Sequence, residues 1–307
     1  MSGDPEERIY TVVKANVIKH PLSNDEVFPV EFSMAAFSLK RGVIESYTAI
    51  IEPLPLPSGS AYNARVLKDD TDLPLPGVES DLFSESSQDY GTIAANVKRM
   101  IFMHLPTSTG RLTKKVVFCM TSDFPAAAGT FRWLGANCND STLGKFLVDI
   151  EILDLSRLFY RLSLFVNSRN PSFSNGMTQF HLVAVGEKQL NRPNAWSFRN
   201  EITCPFHCKA GSNKMDMCAK NWVLRRIFTI LKEFVDVLGL KGSTGHNVET
   251  YPSANFAPKI EFLRTKSVIN ENKLEFTKTG FSTTPTEQCH LRFICTSFLT
   301  AVFPSPH

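Results

Sequence analysis

Four residues in the last third of the chain limit its folding more than any other feature: Cys204, His207, Cys208 and Cys218, in the run Cys-Pro-Phe-His-Cys-(nine residues)-Cys. They stand immediately before the longest regular helical pattern in the sequence. Zinc prefers thiolate and imidazole donors, and a closed zinc site takes four of them in a tetrahedron. The C-x2-H-x10-C spacing supplies three. Cys204 and His207 can face one ion from a tight loop, and Cys218 at a helix start gains from the helix N-terminus, which favours a thiolate. The fourth position falls to Cys208, to a water, or to a residue distant in sequence. Cys208 is the local choice, although adjacent His207 and Cys208 strain to reach one ion together. Glu31 is the distant choice, the only acid in an alternating run near the N-terminus. Such an acid either faces solvent or, in an α/β fold that covers its strand, needs a partner, because an unpaired buried carboxylate is expensive. A cysteine-rich loop with buried free thiols is the reading that needs no metal.

From Val27 to Leu39, residues Val30, Phe32, Met34 and Ala36 point one way, Glu31 and Ser33 the other. Lys40-Arg41-Gly42 leads into a second strand-like run, Val43 to Ile51, so the pair predicts a β-hairpin. The Pro-, Asp- and Ser-rich stretch from Pro53 to about residue 88 predicts mostly loop. Residues 90–104 predict an amphipathic helix, Lys114–Met120 a buried central strand, and 124–135 a helix. Phe146–Leu153 predicts a strand and Leu155–Phe165 a helix, while 166–200 show little pattern. The long helix from about Cys218 to Leu238 carries a stripe of Val223, Ile227, Leu231, Phe234 and Leu238. Arg225, Arg226, Lys232 and Asp236 lie off that stripe, and Gly239 is placed to end the helix. A hairpin followed by alternating strands and helices predicts a mixed α/β sheet over residues 25–242. Residues 1–24 read as a polar tail or a loosely docked strand, and 243–307 as a largely low-order tail broken by the apolar run Cys289–Phe303.

A hydrophobic content of 43%, with 24 Phe among 307 residues, suffices for a sizeable core. The formal charge of +3 does not by itself mark a nucleic-acid binder, but its distribution is uneven. Residues 69–90 hold seven acids and no base, whereas residues 187–233 hold nine Lys or Arg against four acids. A basic zone around the Cys/His cluster favours a polyanionic partner. Seven Cys in this spacing do not form a disulfide framework, and no apolar stretch reaches the length of a membrane span. With no apolar signal core at the N-terminus, a reducing compartment is expected, where clustered Cys and His read as metal ligands.

Three blocks of the chain together resemble the Maelstrom domain family of the piRNA-silencing pathway. The first is Pro29-Val30-Glu31-Phe32 with Phe37-Ser38-Leu39, Gly42-Val43-Ile44 and Ile51-Glu52-Pro53. The second is Val117-Phe118-Cys119 with Phe131-Arg132-Trp133-Leu134, and the third is Cys204-x2-His207 with Cys218-Ala219 and Arg225-Arg226. The resemblance implies an RNase H-like, DnaQ exonuclease-like mixed sheet flanked by helices. It implies one structural Zn2+ held by Glu31, Cys204, His207 and Cys218, with Cys208 as an extra thiol. It further implies an RNA-associated role in transposon silencing in the germline and meiosis, with single-stranded RNA and PIWI-type proteins as partners, in nucleus and cytoplasm (perinuclear nuage). Residues 1–24 are too short for the HMG box that many members carry, so DNA is not an expected partner, and no membrane is.

Two-metal phosphodiester cleavage needs several carboxylates converging on paired cations. The positions flanking Glu31 on its own face are Pro29 and Ser33, and Asp123 alone cannot hold two metals. The family resemblance also implies a weak single-stranded-RNA endoribonuclease independent of that chemistry, without naming its residues. Candidate phosphate contacts are Arg132, Lys188, Arg192, Arg199, Lys209, Arg225 and Arg226. Trp133, Trp196 and Trp222 read as core rather than as base-stacking platforms. His181 and His246 have no catalytic spacing, and Cys289, His290 and Cys295 read as apolar packing.

Overall fold

The hairpin forms where the alternation places it: β2 (Val27–Ser38) and β3 (Gly42–Ile50) pair antiparallel. The computed structural model describes residues 4–23, 25–102, 115–169, 179–209 and 214–248. Among them no helix is long and apolar enough to cross a membrane. Inward of β2 lies β1 (Tyr10–Lys19), antiparallel to β2 and parallel to β4 (Val116–Cys119), which pairs parallel with β5 (Glu151–Asp154). The order β3-β2-β1-β4-β5 puts β1 at the centre of the sheet. This corrects the reading of residues 1–24 as a tail. Lys14 and Asn16 lend the segment its polar look, yet Lys14 pairs with Asp123 at 2.5 Å and Asn16 donates to Glu31 at 2.8 Å. With its polar side chains partnered, β1 is covered on both faces and loses the alternation that marks a half-exposed strand.

The helices are α1 (Ala61–Thr71), α2 (Tyr90–Phe102), α3 (Phe124–Asn137), α4 (Ser141–Val148), α5 (Leu155–Arg169), α6 (Gln179–Asn191), α7 (Pro205–Lys209) and α8 (Ala219–Phe234). Successive strand residues face opposite sides of a sheet. Phe32 meets Phe131 of α3, with ring centroids 5.9 Å apart, while neighbouring Glu31 meets the start of α8. The sheet is thus sandwiched between α3 and α8, and β2 is buried along nearly its whole length.

Four further expectations need correcting. The predicted loop after Pro53 contains α1, a polar helix that buries only Ala64 and Thr71 over a satellite core of Ile18, Val30, Leu73 and Phe83. The predicted strand Phe146–Leu153 is the end of α4 followed by β5. Asp140 caps α4 through Thr142 and Leu143 at 2.8 and 3.0 Å, and a short apolar run cannot itself separate helix from strand. Residues 166–200 contain α6, disguised by Gly186, where a Cβ would sit 2.7 Å from Phe159. Residues 243–248 are docked rather than low in order. Gly245 bonds Val43 at 2.8 Å, and a Cβ on Gly245 would meet the Arg41 and Val43 carbonyl oxygens at 2.4 Å. The rest of the expected tail, with Cys289, His290 and Cys295, lies outside the described residues.

Glu52 is a buried acid with a purely structural job. Its carboxylate accepts from Gly77 N at 3.1 Å, Gln88 Nε2 at 2.8 Å and the Ser80 hydroxyl, pinning the segment between α1 and α2. Glu52→Ala leaves these donors without an acceptor and is expected to cost about 3 kcal/mol. Urea unfolding checks this, with Glu52→Gln expected to be milder because it keeps one acceptor oxygen.

Candidate metal centre

Four side chains from separate elements meet in one buried spot. Glu31 comes from β2, Cys204 from the residue before α7, His207 from within α7, and Cys218 from the N-cap of α8. Their donor atoms all lie within 4.8 Å of one another, and none of the four is more than 1% exposed. Cys204 Sγ is 3.0 Å from His207 Nδ1, Cys218 Sγ 3.3 Å from Glu31 Oε1, and His207 Nδ1 3.7 Å from the same oxygen. A tetrahedral ion with zinc-type bond lengths separates its donors by about 3.3–3.8 Å. The three separations given, 3.0–3.7 Å, lie close to that range, within a cluster whose widest spacing is under 4.8 Å.

The surroundings aim each donor inward. Glu31 Oε2 accepts from Asn16 Nδ2 at 2.8 Å and from Ala219 N at 2.9 Å, which leaves Oε1 for the cluster. Asn16 is itself tied to the Met217 carbonyl at 2.9 Å. His207 Nε2 donates to the Thr71 carbonyl at 2.7 Å, fixing the tautomer that presents Nδ1. The sequence singled out neither Asn16 nor Thr71, and Ala219 only as part of a family block. Asn16 alone offered a signal, as the polar residue of a strand mistaken for a tail.

The four groups shift one another's protonation strongly. Burial pushes the Glu31 carboxyl up to about 8, with nearby Cys218 adding to it. Burial also drives the Cys204 thiol well above its usual range, with Cys218 and Glu31 reinforcing it. Burial alone would lower His207, but its hydrogen bond to Cys218 and the charge of Glu31 carry it up to about 9. Burial opposes ionisation of Cys218 too, yet hydrogen bonds from Cys204 and His207 hold that thiol well below its usual value. Cys218 is thus the buried anion of the set, held by protons on its three neighbours, and a divalent cation could take the place of those protons. Two sulfurs, an imidazole and a carboxylate suit zinc, and four protein donors leave no position for a reactive water.

Cys208 is not part of the cluster: it is half-buried, with its sulfur directed at the Asn200 and Thr203 carbonyls, 3.4 and 3.8 Å away. A two-metal centre is not assembled among the described residues. β1 carries no carboxylate, and Asp123 is engaged by Lys14.

The basic candidates divide. Arg132, Lys188 and Arg192 are exposed and Arg199 is half-buried; the side chain of Lys209, like that of His181, lies outside the described residues. Arg225 and Arg226 are only 6% and 4% exposed, which corrects their assignment as phosphate contacts. α8 is covered by the sheet on one side and by α6 and residues 193–203 on the other, so positions off its apolar stripe are also enclosed. Arg226 stacks on Trp222 at 3.6 Å and bonds Asn191 at 2.9 Å; burial lowers it to about 9. Trp133 packs against Tyr90 and Trp222 is buried, as expected of core residues, whereas Trp196 is half-exposed. His246 docks residues 243–248 by bonding the Leu39 carbonyl at 2.8 Å.

The fold and site define a mixed α/β domain in which a buried Glu-Cys-His-Cys cluster, composed to hold a metal, fastens the first hairpin to the last helix. The chain belongs to the Maelstrom family, whose model, described as a piRNA pathway germ-plasm component, matches residues 20–250. It is 22% identical over 257 residues to Protein maelstrom of Drosophila melanogaster, covering 83% of this chain and 52% of that protein. It is 24% identical over 259 residues to Protein maelstrom homolog of Culex quinquefasciatus, covering 81% and 46% respectively. The chain therefore spans about half the length of the curated relatives it matches.

Proposed function

We propose that this domain is an RNA-associated interaction module of piRNA-type transposon silencing in the germline, stabilised by one structural zinc. The observation that carries the reading is the closed, fully buried set of Glu31, Cys204, His207 and Cys218. Such a site ties elements together and leaves recognition to the surface. The mixed sheet with helices on both faces supports the RNase H-like, DnaQ-type assignment. The absence of carboxylates from β1 supports loss of the ancestral two-metal chemistry. Single-stranded RNA and PIWI-type proteins are the proposed partners, met in nucleus and perinuclear cytoplasm.

Binding of a labelled single-stranded RNA across a salt series tests the RNA half of this proposal. Affinity should fall steeply with salt, by about tenfold or more between 50 and 200 mM if several phosphates are contacted. No binding at 50 mM would reduce the domain to a protein-binding module. Cleavage above a denatured control in EDTA would instead make it a weak metal-independent endoribonuclease.

A further inference from the structure

A cleft of about 310 Å³ opens between the C-terminal end of α6, residues 193–196 and the last turns of α8. Its volume is at the lower end of small-ligand sites, roughly that of one nucleotide. Trp196 is the aromatic wall, backed by Phe228 at a centroid distance of 5.9 Å. Asn194 holds that wall in place. Its Oδ1 accepts from Trp196 N at 3.0 Å, and its Nδ2 donates to Thr229 Oγ1 at 3.1 Å. The platform is therefore built before any ligand arrives.

The cleft's chemistry is unbalanced in a way that points to an anion. Arg192 and Lys232 line it, and neither makes an ion pair among the described residues. Lys232 lies with its amine 5.9 Å from the Trp196 ring centre, the place a cation takes when no better partner is present. Lys188, exposed one helical turn before Arg192, extends the basic edge. Behind the wall, buried Arg225 bonds Ser197 at 2.9 Å, and among the described residues neither it nor Arg226 makes an ion pair, with Asp216 and Asp123 acting on them only from further off. Two buried cations thus add to the positive potential in the cleft. Gln189 on the rim carries an amide with donors and an acceptor for a base edge.

Among the described residues Glu233 is the one acid lining the cleft, and against a phosphate it is misplaced. Against a ribose it is not: a carboxylate accepts well from a sugar hydroxyl, and the 2′-hydroxyl is the group that distinguishes RNA from DNA. We propose that this cleft is a ribonucleotide subsite for single-stranded RNA, with the base stacked on Trp196, the phosphate between Arg192 and Lys232, and the 2′-hydroxyl donated to Glu233. This rests on the RNA reading above and gives it an address on the surface.

The test measures binding of a fluorescein-labelled 15-nucleotide oligouridylate, and of the deoxyuridylate of equal length, to the full chain and three variants. Arg192→Ala/Lys232→Ala should weaken RNA binding about tenfold or more and flatten the log–log salt slope by about 1.4, two single-strand phosphate contacts. Trp196→Leu should weaken it on the order of tenfold at every salt concentration, since stacking is not screened. Glu233→Gln should leave DNA binding unchanged and erase several-fold of the preference for RNA. Arg192 and Lys232 are exposed, so their removal should leave the thermal midpoint where it is. RNA binding retained by the double variant would overturn the subsite while leaving the RNA reading intact. Equal loss of RNA and DNA on charge removal, with no effect of Trp196→Leu, would also overturn it, marking a plain basic patch. Failure of the unaltered chain to bind either probe would remove the RNA reading itself.

Discussion

Removing the proposed zinc from this domain is expected to lower its thermal midpoint by on the order of 10 °C or more, and about one equivalent of zinc should restore it. The size follows from what the ion would hold. Glu31 sits in the middle of the sheet, Cys218 caps the helix that covers one face of it, and His207 reaches the end of α1 through the Thr71 carbonyl. Without the ion, the same four groups compete for protons in a space closed to water, which is where an unpaired charge is most costly. Each kcal/mol lost moves the midpoint of a domain this size by roughly 2–4 °C, so losing even part of a structural zinc's binding energy is readily visible. Calcium and magnesium should not substitute, because both prefer oxygen donors and larger coordination numbers than this cluster offers. Elemental analysis finding no transition metal, together with a midpoint indifferent to a strong chelator, would end the zinc assignment.

Parts of this architecture were readable from residue order because their burial is one-sided or their ends are marked. The β2–β3 hairpin alternates and turns at a glycine with φ +71°, whereas α8 stops at Phe234, short of Leu238, and Gly239, with φ +66°, closes the turn beyond it rather than the helix itself. Elements that were missed are either covered on all sides or barely covered at all. β1 is enclosed by two strands and by α1, α3 and α8, so Lys14 and Asn16 look like surface residues until Asp123 and Glu31 are brought beside them by folding. α1 buries so little that its sequence reads as loop. Arg225 and Arg226 fail for the same reason as β1: a helix enclosed on several sides has no exposed face to which off-stripe charges can be assigned. The three local candidates, Cys204, His207 and Cys218, can be picked out from their spacing alone. Glu31 stands as one choice among several for the fourth position until the family resemblance prefers it, because nothing within residues 200–220 points to a strand some 170 positions earlier.

That distance makes Glu31 the most informative single substitution. Glu31→Ala removes one donor from the cluster and also strands Asn16 Nδ2 and the Ala219 N–H, both now bonded to its second oxygen, in space closed to water. Zinc retention and thermal midpoint should fall together, to the extent seen for Cys204→Ser, with a stability loss of about 3–5 kcal/mol. Glu31→Gln separates the two roles. Its amide oxygen can still accept from Ala219 N, so much of the packing survives, while the anionic donor is gone and metal affinity drops. Cys208→Ser is the counterpart, since its sulfur is turned toward the Asn200 and Thr203 carbonyls and away from the cluster. It should change neither zinc content nor midpoint. The opposite pattern, zinc kept by Glu31→Ala and lost by Cys208→Ser, would return the site to a local finger. α8 would then be held to the sheet by packing alone. The buried carboxylate would remain as an acid that burial keeps protonated up to about pH 8, a costly group for the centre of a sheet to carry without an ion to bind.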